Sequence, residues 1–127
     1  MDDILLINAM SKVSGVNAKD CIVQGDIISY MIRDKEVGKA IGKSAVNVKE
    51  LEKKLKKKIE IIGFYEKPED VLCKTFDVKI GEVKKKKNKL ILTLDIINKK
   101  KVFSKIGRFK RVKDLIKRNY ELEMILN

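Results

Sequence analysis

The sequence predicts an α/β (α+β) chain of two similar units, each running helix, strand, strand, helix, helix, strand. Three observations carry this. The stretch VGKAIGKSAVNVKELEKKLKKKIEII, Val37 to Ile62, sets a glycine turn at a helix start and follows the helix directly with a strand. Val102 to Ile106 repeats Val37 to Ile41, and Gly107 falls 65 positions after Gly42, so one internal repeat accounts for the 127-residue chain. A hydrophobic content of 44% with 38% charged residues describes a folded polypeptide rather than a disordered one.

Taken in order, Asp2 and Asp3 precede Ile4, Leu5, Ile7, Met10 and Val13, acids at a helix start followed by apolar residues near helical spacing. Ser14-Gly15 ends that helix. Cys21 to Gln24 and Ile27 to Ile32 read as strands joined at Gly25-Asp26, a tight hairpin connection. Asp34 to Ala40 is a polar turn into a short helix ending near Ile41-Gly42. The next helix carries Val48, Leu51 and Leu55 on one stripe, and Ile59, Ile61 and Ile62 form a β-branched strand.

Gly63 to Lys67 is the one plausible linker, which divides the chain into residues 1–66 and 67–127. Pro68 followed by Glu69-Asp70 opens a helix, with Val71, Leu72, Thr75 and Phe76 as its apolar side. Val78, Ile80 and Val83 alternate as a strand. Leu90, Leu92, Leu94 and Ile96 alternate as its partner across a hairpin tip at Lys84 to Lys89. Asn98 to Lys101 is polar, and Tyr120, Leu122, Met124 and Leu126 close the chain as a strand. A linker of about five residues leaves the units little freedom to separate.

The turn Ile41-Gly42-Lys43-Ser44-Ala45 carries the chemistry. A glycine turn feeding a helix leaves unpaired N–H groups at the positive end of the helix dipole, and glycine allows a phosphodiester to approach the main chain. The plainer reading is a simple connection. With Ser14 to Ile32 as the preceding hairpin, the whole stretch resembles a KH domain, whose Ile-Gly-x-x-Gly loop between two helices clamps about four nucleotides. The full chain is similar to the two-unit architecture of archaeal NusA-like proteins. The resemblance implies single-stranded RNA as ligand and a role in transcription termination or antitermination. RNA polymerase is a second candidate partner. Residue by residue, it implies an RNA-binding set of Lys39, Ile41, Gly42, Lys43, Ser44, Ala45 and Lys49. Ala45 departs from the family's glycine, which weakens rather than abolishes a clamp.

In the second copy the corresponding candidates are Lys105, Gly107, Arg108, Phe109, Lys110 and Arg111. From Gly42 to Val48 is six positions and from Gly107 to Val112 is five, so the second loop reads as one residue short. It is either a clamp working through side chains or a copy kept for stability. Phe109 either stacks on a base or packs in the core.

The formal net charge is +12, and its distribution says more than its size. Through Glu66 there are 12 basic and 10 acidic residues; from Lys67 onward there are 18 and 8. An excess confined to one half is a polyanion footprint as well as an aid to solubility, and the lysines at 84 to 87 and 89 suit either. There is no histidine, so the commonest general base is absent, and the chain is expected to be no enzyme and to need no cofactor. Cys21 and Cys73, 52 positions apart, read as reduced buried thiols with no metal. No apolar run approaches the roughly 18 residues of a membrane span, and a cytoplasmic monomer without membrane contact is expected. Ribosome-associated or RNA-processing KH proteins, and a degenerate pair that binds protein, are the alternative functions.

Overall fold

The computed structural model describes residues 2–127 and contains two compact units, one ending at Phe64 and the other beginning at Tyr65. Among the described residues the class is mixed α and β, with two three-stranded sheets and six α-helices.

In the first unit, α1 (Asp3–Ser14) is capped by Asp2, whose Oδ1 accepts from the Ile4 N–H at 2.9 Å. It ends at Gly15, left-handed at φ 75°, which donates its N–H to the Ser11 carbonyl. β1 (Asp20–Gln24) and β2 (Ile27–Arg33) pair antiparallel, and β3 (Lys58–Phe64) joins β2 in parallel, giving the order β1-β2-β3. Between β2 and β3 come a 3-10 turn at Asp34–Glu36, then α2 (Val37–Ile41), the glycine turn and α3 (Val46–Leu55). Alternation along β2 sends Ile28, Tyr30 and Ile32 into a core with Leu6, Ala9, Met10, Ala40 and Leu51. Leu51 is fully buried, worth about 1.5–3 kcal/mol of transfer free energy. The Tyr30 hydroxyl donates to the Leu6 carbonyl at 2.7 Å, tying β2 to α1. Burial, with the Cys21 thiol nearby, pushes its pKa well above the usual phenol value.

The second unit repeats the order with α4 (Pro68–Phe76), β4 (Glu82–Lys86), β5 (Lys89–Thr93), α5 (Ile96–Phe103), α6 (Ile106–Tyr120) and β6 (Glu123–Leu126). The sheet order is β4-β5-β6, antiparallel and then parallel. The Tyr120 hydroxyl donates to the Tyr65 carbonyl and accepts from the Tyr65 N–H, so one side chain fastens the start of the unit to the end of its longest helix.

Several boundaries differ from those read in the sequence. β3 runs through Gly63 and Phe64, which leaves only residues 65–67 outside regular structure before α4. Val78 and Ile80 lie outside any strand: Asp77 ends α4 in the left-handed conformation at φ 53°, and β4 starts at Glu82. Lys84 to Lys86 belong to β4 itself, so the hairpin tip is Lys87-Asn88 alone. Ile96 is helical because Asp95 caps α5, its Oδ1 accepting from the Asn98 N–H at 2.8 Å; that bond holds the Asp95 carboxyl below the usual carboxylate range. Asn98 to Lys101 are therefore inside α5, and Tyr120 ends α6.

The repeat also has two registers instead of one. Gly15 and Asp77, Val16 and Val78, Tyr30 and Leu92, and Ala40 and Val102 occupy matching places 62 positions apart. After the turn the offset becomes 65: Lys56 and Glu121 are the left-handed C-caps of α3 and α6, and Ile59 and Met124 pair with matching positions of β2 and β5.

Candidate nucleic-acid interface

α2 ends in a turn that few residues other than glycine could start. Gly42 lies at φ 79°, ψ 167°, a region essentially reserved for glycine. A Cβ there would meet the Asn47 Nδ2 at 2.8 Å and the Val46 Cγ1 at 3.0 Å. The Ala45 N–H donates back to the Gly42 carbonyl at 3.1 Å. Ser44 (φ 54°) and Ala45 (φ 60°) are both left-handed without being glycine, each an uncommon and costly conformation. Ala45 is the N-cap of α3; no side chain caps that terminus, and no acidic residue stands in its first turn. The turn therefore presents an electropositive helix start with Lys43 and Ser44 exposed beside it.

The neighbouring candidates divide. Lys49 is exposed within α3, and Ile41, half-buried, ends α2. Lys39 is exposed, but its chain leads to the end of α1: a Cβ added to Gly15 would lie 3.6 Å from the Lys39 Cε and Nζ. Asn47, which sequence reasoning passed over, donates from Nδ2 to the Lys39 carbonyl at 3.0 Å and holds α2 against α3 across the turn. An amide side chain in the first helical turn after a glycine was the available signal.

The second unit has no such turn, which corrects the reading of a loop one residue short. Ser104 and Lys105 alone separate α5 from α6, and Gly107, Arg108, Phe109 and Lys110 are helical. The change of offset from 62 to 65 makes this stretch three residues longer than its counterpart, and the extra length is wound into α6. Phe109 explains the winding. Its ring is buried and meets Phe103 edge-on at 5.7 Å between centroids, drawing the segment onto the core with Val112 and Ile116 on the same stripe. Phe109 is thus a core residue, not a platform for a base. Arg111 is buried and partnered, Gly107 and Arg108 are half-buried, and Lys105 and Lys110 are exposed. Lys101, the counterpart of Lys39 at an offset of 62, donates from Nζ to the Asp77 carbonyl at 3.1 Å.

Over 63 residues the chain is 33% identical to the probable transcription termination protein NusA of Methanocaldococcus jannaschii. Over 65 residues it is 34% identical to the protein of the same description from Methanococcus vannielii. Half of this chain is similar to archaeal NusA. The matched part is 34% and 38% of those proteins' own lengths. Among solved structures, that of APE1850 superposes with a TM-score of 0.82 over 98% of this chain and 97% of its own, at 22% identity, which is a likeness of fold. No family model matches the chain. Among the described residues, no helix is long and apolar enough to cross a membrane, and no three His, Cys, Asp or Glu side chains gather as a metal site needs.

Proposed function

We propose that the chain is a KH-type RNA-binding protein of the transcription machinery, and that its first unit clamps single-stranded RNA at the Gly42–Ala45 turn. One observation carries this reading: a left-handed turn, opened by a glycine at φ 79°, ψ 167°, delivers a start of α3 that no side chain caps. Backbone N–H groups held that way suit one phosphate, with Lys43 and Ser44 adding side-chain contacts. The similarity to NusA supports a role in termination or antitermination, with RNA polymerase as a further partner. On this reading the chain binds rather than catalyses, needs no cofactor and works as a cytoplasmic monomer. Arg108, Lys110 and Lys105 contribute diffuse attraction only. The second unit is then mainly scaffold, a view favoured by the burial of Phe109 and Arg111 where a clamp would need exposure.

The test replaces Lys43 and Ser44 together by Asp, placing two carboxylates where the phosphate would lie. Like charges so juxtaposed cost several kcal/mol, on the order of 10²-fold or more in affinity. Charge reversal at Arg108 and Lys110 should cost less and act chiefly on the salt dependence. If the second change abolishes binding to single-stranded RNA and the first leaves it intact, with both variants folded by circular dichroism, the clamp belongs to the second unit.

A further inference from the structure

We infer that the β4–β5 hairpin is a second contact for single-stranded RNA, separate from the glycine turn, taking phosphates on lysines and a base or ribose on an aliphatic floor. This rests on the reading of the chain as an RNA binder. Every residue of β4 is exposed, so Lys84, Lys85 and Lys86 reach solvent on both faces of the edge strand. Lys86 pairs with Lys89 across the hairpin, and Lys84 with Ile91. Ile91 pairs in turn with Ile125 of β6, which sets the two isoleucines side by side on the outer face of the sheet. Both are half-buried. They floor an open groove of about 360 Å³ whose other walls are Lys86, Lys87, Asn88 and Lys89. Acidic neighbours are few: Glu82, 3.6 Å from Lys84, and Glu123, opposite Lys89.

The first unit is an internal control, since its hairpin has the same backbone 62 positions earlier. Where Lys87 is left-handed at φ 57°, the first unit has Gly25 at φ 56°. Its edge strand, Asp20–Gln24, contains no lysine at all. Guarding an edge against pairing with another chain is a common use of lysine there, but the matching edge does without it. The fold does not ask for five lysines in this hairpin, and it asks for glycine where the tip has Lys87. A flat aliphatic patch rimmed by cations and one amide matches an unstacked base with its flanking phosphates. A duplex, whose bases are stacked away, has no use for the floor.

The experiment measures binding of a labelled single-stranded oligouridylate across a salt series. Changing Lys84, Lys86, Lys87 and Lys89 together to Gln should reduce the steepness of the log–log salt plot by about 1.4, the share of two phosphates, and weaken binding roughly tenfold at 0.1 M salt. Changing the same four to Arg should leave both near the wild-type values. In wild-type protein, oligouridylate should protect Lys86 and Lys89 from acylation, a readout that needs no variant. Unchanged slope in the Gln variant together with unprotected lysines overturns the proposal. So does protection by polyglutamate but not by oligouridylate, which would assign the surface to an acidic protein. Loss of binding in the Gln variant with retention in the Lys43/Ser44 variant would keep the hairpin and remove the clamp. If wild-type protein ignores oligouridylate altogether, both fall.

Discussion

Ala45 and Lys87 hold left-handed backbone that their side chains disfavour, one at each of the two candidate RNA surfaces. Glycine at either position removes the steric cost of about 1–2 kcal/mol and gives part of it back as chain entropy. Ala45→Gly and Lys87→Gly should therefore each raise stability by roughly 0.5–1 kcal/mol, read as a higher denaturant midpoint at unchanged slope. Their effects on RNA should part: Ala45→Gly keeps or tightens binding, whereas Lys87→Gly loses a cation and weakens it. Tyr30 is set against this by burial rather than backbone. Its folded pKa lies above the unfolded value of about 10, so it contributes stability that is present below that pH and lost as the pH rises above it. Tyr30→Phe should cost about 1 kcal/mol at neutral pH through the lost bond to Leu6. It should also flatten the decline of stability in alkali, as urea titrations of both proteins at successive pH values would report.

At the scale of elements, Gly42 and Gly107 stand at equivalent places in the sequence and in different conformations in the structure. Gly42→Ala should cost on the order of 1–3 kcal/mol, since the conformation is closed to a residue with a Cβ and the Asn47 amide would have to move aside. Gly107→Ala, within α6 and without a positive φ, should instead stabilise by about 0.5 kcal/mol. Thermal melts of the two variants would show shifts of opposite sign. Most of the elements were legible because hydrophobic period, Gly15, Pro68 and the β-branched run at Ile59 act locally. What was not legible depended on contacts at a distance. Phe109 looks the same in sequence whether it ends in a groove or against Phe103, and only the packing winds Gly107 into a helix. The lysines of β4 hid a strand because an edge exposed on both faces shows no alternation of burial.

Over the whole molecule, the positive excess lies in the second half while the glycine turn lies in the first, and the two should be separable in solution. Single-stranded RNA should bind more tightly than duplex of equal length, with a log–log salt slope of about −0.7 for each phosphate neutralised. Equal or tighter binding of duplex would contradict the clamp for unpaired nucleotides proposed at Gly42–Ala45. The charge asymmetry was plain from the sequence, but which lysines face a groove was not, because that depends on strand register. The lysine that reaches the end of the first helix, Lys39 at Gly15 and Lys101 at Asp77, lies 24 positions beyond it in both units. That fixed distance makes the chain from α4 to α5 intolerant of insertions: one extra residue in β5 would turn its apolar face outward and draw Lys101 off Asp77. The corner at Ser104-Lys105 sets no such distance between a lysine and a helix end, and a single alanine inserted there should cost chiefly the Phe103–Phe109 edge contact, about 0.5–1.5 kcal/mol. Between the start of the shorter helix and the end of the longer one length can change, and there the second copy has three more residues, wound into α6.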